Sequence, residues 1–97
     1  MITNSQRERL KSIAQHIKPT LEISKEDIGA KDILDVSIAL DLHELIKISF
    51  HLDTKIGTKT FLNAICALTG AEPVTMENNE IVIYRRSSSD SIEHIEI

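Results

Sequence analysis

Aromatic residues are nearly absent from this chain: two Phe, one Tyr and no Trp in 97 positions. A core must therefore be packed from Ile, Leu and Val, and the 41% apolar content is enough for one compact domain. The single cysteine, Cys66, excludes an internal disulfide and any multi-cysteine zinc site. Three glycines, at positions 29, 57 and 70, are too dispersed to build a phosphate-cradling loop. No P-loop, G-x-G-x-x-G or G-x-S-x-G motif occurs. No apolar run approaches the roughly 20 residues that cross a bilayer. The N-terminus is polar from Thr3, unlike a signal peptide. The expectation is a cytoplasmic protein with no membrane attachment.

Positive charge is also scarce, with a formal net charge of −4, which argues against a strongly basic nucleic-acid binder. The charge is uneven, however. Residues 1–18 are net +3, residues 19–44 net −5, residues 45–70 net +2 and residues 71–97 net −4. A basic N-terminal element on an acidic body can hold phosphate locally, although charge runs are more often solvated faces.

Taken in order, Thr3 and Gln6 form a capping box for a first helix. Its apolar stripe is Leu10, Ile13, Ala14 and Ile17, and Pro19 ends it. Arg7, Lys11 and Lys18 fall close together on a neighbouring face, with Arg9 further round. Leu21 and Ile23 alternate with polar residues in a short strand. A loop, Ser24–Lys25–Glu26–Asp27, then leads into a second helix buried through Ile33, Val36, Ser37 and Leu40. Glu26 and Asp27 are expected in its first turn, where acids complement the helix dipole. A strand passing at once into a helix exposes backbone N–H groups that suit anions.

Leu45–Leu52 is the strongest strand. Ile46, Ile48, Phe50 and Leu52 share one face, and Leu45, Lys47, Ser49 and His51 the other. One covered and one more open sheet face follows. Asp53 or Thr54 can cap a third helix carrying Phe61, Leu62, Ile65 and Leu68, which Gly70 ends in a left-handed conformation. Two strands around Asn78–Asn79 read as a hairpin. The serine-rich, acidic residues 87–97 read as a flexible tail, with Ile92, Ile95 and Ile97 available for weak docking. The expected fold is α/β: a single domain of order α-β-α-β-α-β-β, with a four-stranded mixed sheet and three helices.

Catalytic chemistry is not visible. His16, His43, His51 and His94 share no metal-ligand spacing, and His43 suits a structural role at a helix-to-strand corner. Cys66 sits near an apolar stripe, as buried free cysteines do. No cofactor, no metal and no enzymatic activity are expected.

Several stretches together resemble one family. Gln6–Arg7, Leu10–Lys11, Ala14 and Lys18–Pro19 are similar to the opening of the CRM domain, the chloroplast RNA splicing and ribosome maturation domain whose bacterial stand-alone form is the YhbY-type protein. Ala39–Leu40 and His43–Glu44–Leu45–Ile46–Lys47–Ile48 resemble its A-L-x-x-H-E-L-I-K-V core. Thr69–Gly70–Ala71 and Ile81–Val82–Ile83–Tyr84–Arg85 resemble two later segments. The likeness spans residues 3–86, which sets a CRM-like domain at 1–86 and the tail at 87–97. It implies a fold similar to the C-terminal domain of the third bacterial translation initiation factor. It also implies RNA binding and association with precursors of the large ribosomal subunit.

One departure stands out. The family carries a G-x-x-G loop that lets phosphates approach the backbone closely. Here the aligned positions are Ser24, Lys25, Glu26 and Asp27: both glycines are replaced and two acids are present. Lys25 supplies the favourable charge. The expected RNA surface is Arg7, Lys11 and Lys18, the altered loop Ser24, Lys25, Glu26 and Asp27, and further Lys47, Arg85 and Arg86. The expected partner is ribosomal RNA of large-subunit precursors, with ribosomal proteins as further partners and the chain itself a monomer. The alternative is a protein-interaction module that kept the fold and lost tight RNA binding, with the acidic second helix and tail facing a basic partner.

Overall fold

In the computed structural model, which describes residues 2–23, 29–50, 58–77, 80–89 and 91–95, the period-two alternation of Leu45–Phe50 forms the central strand β2. Seven elements follow the expected order: α1 (Asn4–Ala14), β1 (Leu21–Ile23), α2 (Ala30–His43), β2, α3 (Thr58–Thr69), β3 (Glu72–Met76) and β4 (Glu80–Tyr84). The sheet runs β1-β2-β4-β3. β1 pairs with β2 in parallel, with Leu21 opposite Ile48. β4 pairs antiparallel with both β2 and β3. The parallel pair needs a crossover, which α2 supplies. The antiparallel pair β3–β4 is closed by the hydrogen bond from Glu77 N to Glu80 O (2.8 Å). The Asn78–Asn79 turn itself lies outside the described residues, as do Leu52, His51 and the Asp53 or Thr54 cap.

The strand alternation sorts side chains onto two faces. Ile46, Ile48, Phe50, Ile81 and Ile83 join Val36, Ala39 and Leu40 of α2 and Phe61, Leu62 and Ile65 of α3. Phe50 and Phe61 stack at 4.6 Å between centroids, a geometry that adds about 1 kcal/mol beyond burial. On the other face Leu45, Val74, Val82 and Tyr84 pack with Leu10 and Ala14 of α1, joined by Ile2, Ile13, Ile17 and Ile95. The β3 register slips between Pro73 and Thr75, and Val74, at the slip, turns into this cluster. α1 therefore covers one end of the second face, and Lys47 and Ser49 beyond it remain half-buried.

Element ends differ from the sequence reading in two places. α1 stops at Ala14, short of Pro19, because His16 N and Ile17 N bond to carbonyls three residues back and tighten the last turn. Ile17 still reaches the core from that turn. α2 begins at Ala30, with Gly29 N donating to Asp32 Oδ2 (2.9 Å). Its first-turn acid is Asp32; Glu26 and Asp27, expected there, lie outside the described residues. Gly70 ends α3 at φ +74°, with its N–H on Cys66 O (2.8 Å), the left-handed cap that the sequence reading expects.

In the tail, expected to be flexible, Ser87 and Ile95 are bonded to the body of the domain. Ser87 N and Ile95 N each donate to the Glu44 carboxylate at 2.7 Å, and Ser87 Oγ donates to Asp41 O (2.7 Å). Polar composition suggested solvation. A buried acceptor in the body, invisible in the tail's own sequence, binds the segment.

Candidate nucleic-acid interface

Lysine and arginine act here as flexible point charges and rigid forks respectively, so their placement decides what the surface can hold. Of the basic residues of α1, Arg9 is exposed and Arg7 and Lys11 are half-buried. Lys11 Nζ pairs with Glu8 Oε1 at 3.2 Å across one helical turn. Such an exposed pair is worth about 0–1 kcal/mol and exchanges readily for phosphate. Lys11 of α1, Gln15 just past its end, Lys47 of β2 and Thr75 of β3 line one depression of about 180 Å³ together with Glu77 and Glu80. That is smaller than the roughly 300 Å³ of a small-molecule pocket, so it suits a contact with a polymer's backbone. Lys18 is exposed beyond α1. Two residues on, Thr20 N donates to Lys47 O (2.7 Å), which ties this segment to β2.

The other basic residues fall elsewhere. Arg7 lies over β3, with Nε on Pro73 O (3.0 Å) and Nη1 on Asn4 Oδ1 (3.2 Å). Lys59 of α3, which the expected RNA surface did not include, shares a concavity with it. Arg86 is exposed and lines a broad open groove with Arg9, Tyr84 and His94, where Glu72 and Glu93 mix the charge. Ser24, Lys25, Glu26 and Asp27 lie outside the described residues, so the loop joins the site through sequence position alone, between Ile23 of β1 and Gly29.

Arg85 also lines the groove lined by Arg86, but its guanidinium reaches the α2 and α3 side of the sheet. Its guanidinium donates to Thr69 O (2.7 Å), Ser37 O (2.9 Å), Ser37 Oγ (3.2 Å) and Asp41 Oδ1 (3.0 Å). One fork thus ties the end of β4 to α2 and α3. This occupation gives Arg85 a bracing role that its sequence neighbour Arg86 does not share.

Glu44 is the residue that sequence reasoning passed over. It is fully buried, it caps α2 at φ +65°, and every polar part of it is used. Its N–H donates to Leu40 O (2.8 Å), and its carbonyl accepts from Arg85 N (2.9 Å). Its carboxylate accepts from Ser87 N and Ile95 N and lies 2.6 Å from His94 Nδ1. Burial pushes this carboxyl up, but the hydrogen bonds from His94, Ile95 and Ser87 together hold it below its ordinary value. The positive φ between a helix and a strand was a signal only in hindsight. The corner role expected of His43 belongs to Glu44, and His43 is exposed.

Two further groups bear on chemistry. Burial, followed by the charge of Glu72, pushes the Cys66 thiol up to about 11, so it is protonated and a poor nucleophile at neutral pH. Burial, then the Glu44 charge, raises the Tyr84 phenol, with Arg86 opposing. Tyr84 is buried against α1 and offers no open stacking face. Among the described residues, no group of three or more His, Cys, Asp or Glu side chains could hold a metal ion. No described helix is long and apolar enough to cross a membrane.

Comparison with known proteins bears directly on this arrangement. Residues 2–85 match the family model of the CRS1 / YhbY (CRM) domain. The chain is 27% identical over 86 residues to a Pseudomonas aeruginosa protein named a probable RNA-binding protein, covering 89% of this chain and 83% of that one. It is 27% identical over 90 residues to the probable RNA-binding protein YqeI of Bacillus subtilis, covering 93% and 94%. The solution structure of SAV1595 from Staphylococcus aureus, put forward as an RNA-binding protein, superposes with a TM-score of 0.79 at 30% identity, over 98% of this chain and all of that one.

Proposed function

Because the chain belongs to the CRS1 / YhbY (CRM) domain family, we propose that it binds RNA through phosphate contacts made by α1, β2 and the β1–α2 loop. The observation that carries this reading is the convergence of Lys11 and Lys47, from two separate elements, on one surface depression, which Glu77 and Glu80 also line. Lys18, Arg7 and Arg86 extend the basic surface, and Lys25 adds a charge in the loop. Ser24, Glu26 and Asp27 occupy the positions where the family's loop clamps the backbone, and two of them repel phosphate. The α1–β2 lysines therefore carry more of the contact than the loop does. The target is structured ribosomal RNA of large-subunit precursors, as the resemblance to YhbY-type proteins implies, and the role is assistance in subunit assembly.

Phosphate contacts release counterions, so affinity falls steeply with salt. Sequence preference is weak, since Tyr84 supplies no open stacking platform. A filter-binding titration with a structured ribosomal RNA fragment, run across a salt series, tests the RNA reading. Binding no tighter than that of an acidic control protein at low salt would sink it. A sucrose-gradient profile tests the assembly role separately: the protein travels with large-subunit precursors if the role is correct and stays at the top of the gradient if it is not.

A further inference from the structure

α2 is apolar on two sides. Val36, Ala39 and Leu40 face the core, whereas Leu34, Ile38 and Leu42 stand 59%, 49% and 57% exposed. Their i, i+4, i+8 spacing aligns them in one stripe along the outer side of the helix. Single exposed leucines are ordinary, but an aligned stripe of three on a solvated helix face is not. On α3, Leu68 is 64% exposed. It adjoins Thr69, whose carbonyl the Arg85 guanidinium links to Ser37 of α2.

The charge around the stripe narrows what can cover it. At 100° per residue, Asp35 and Asp41 flank it on opposite sides. Asp35 is exposed, and the Asp41 side chain is 50% exposed even while bound to Arg85. Lys31 stands at the N-terminal end. The aspartates repel a phosphate backbone and an anionic lipid surface alike, which disfavours nucleic acid and membrane here. A second copy fits poorly too: in a two-fold antiparallel pairing about Ile38, aspartates of both copies would share each flank. A helix carrying apolar residues at matching spacing, with Lys or Arg beside them, satisfies both the stripe and its flanks.

We propose that the outer face of α2 docks a basic amphipathic helix of a partner protein, with Leu34, Ile38 and Leu42 as the apolar anchors and Asp35 and Asp41 pairing with its cations. This face lies across the sheet from α1, so the protein can hold RNA on one side and a basic protein on the other. The inference does not depend on the RNA reading.

The test uses the full chain, isotope-labelled, titrated with a synthetic helix-forming peptide that carries leucines at helical spacing and lysines on both flanks. A twin peptide with glutamates in place of the lysines is the control. The lysine peptide should shift α2 amides and bind at least about tenfold more tightly than its twin. Ile38→Asp should abolish binding and Asp35→Lys should weaken it, while RNA affinity stays unchanged in both. If Ile38→Asp fails to fold, Ile38→Gln at the same exposed position serves in its place. No binding, equal binding of the twins, or shifts confined to α1 and β2 would overturn the proposal. So would sedimentation showing a dimer of the free chain that Ile38→Asp converts to monomer, because the occupant would then be a second copy.

Discussion

The Glu44 carboxylate, fully buried at the end of α2, lies 2.6 Å from His94 Nδ1, 50 residues further along the chain. The same carboxylate holds the backbone N–H groups of Ser87 and Ile95. One side chain thus fastens Ser87, His94 and Ile95 to the helix–strand corner beside Leu45.

Removing this acceptor leaves buried donors unsatisfied. Glu44→Gln should lower unfolding free energy by about 2 kcal/mol, the scale of a hydrogen bond to a charged group. Glu44→Ala should cost more, and Glu44→Gly should recover about 1 kcal/mol of that difference, because glycine relieves the +65° φ. Urea denaturation of the three variants measures both effects.

Acid should loosen the same contact. The Glu44 carboxyl is lower in the folded protein than its ordinary value of 4.5. The unfolded chain therefore takes up the proton first as pH falls, and the stabilisation is complete only above about pH 4.5 and disappears as pH drops through the folded value. Amide exchange at Ser87 and Ile95 should accelerate in that acid range. In Glu44→Gln the exchange rates at these two amides, corrected for intrinsic pH dependence, should be flat across it.

Arg85 braces two helices through a fork that lysine cannot reproduce. Arg85→Lys should therefore be destabilised nearly as much as Arg85→Ala, by about 2 kcal/mol in chemical denaturation. The folded fraction of either variant should bind RNA as the parent does. A loss of RNA affinity with unchanged stability would return Arg85 to the RNA surface.

Lys11 and Lys47 each neutralise a phosphate in the proposed complex. The double variant Lys11→Ala, Lys47→Ala should reduce the slope of log K against log salt by about two, roughly one for each lysine removed. Its stability should stay within about 0.5 kcal/mol of the parent, since neither lysine is buried. The comparison variant Lys25→Ala should lose less affinity than this pair.

Much of the fold was legible because it rests on local periodicity. Leu45–Phe50 alternates and is the central strand; Leu10 and Ala14 keep helical spacing and face the sheet. Gly70 is where a helix must end left-handed. Of the candidate surface, Lys11 and Lys47 stand out as cations in the sequence, but their meeting across α1 and β2 depends on how a helix crosses a sheet. Arg85 could not be separated from Arg86 by type or position. Strand alternation points one toward α2 and α3 and leaves the other exposed, and only the carbonyls of Ser37 and Thr69 show why that matters. The second apolar stripe of α2 was present as Leu34, Ile38 and Leu42, yet a helix with leucines on both sides gives no sign of which side is covered.

The sequence by itself determined the element order, the apolar content of the two sheet faces and the likeness to a family, because each is carried by residues near one another in the chain. Only the tertiary structure decided that Ser87, His94 and Ile95 meet the body of the domain and that Glu44 is their anchor. A tail of serines and acids is polar in isolation, and its fate depends on whether a distant buried carboxylate needs donors. That requirement arises once the fold removes Glu44 from water, and no local pattern records it.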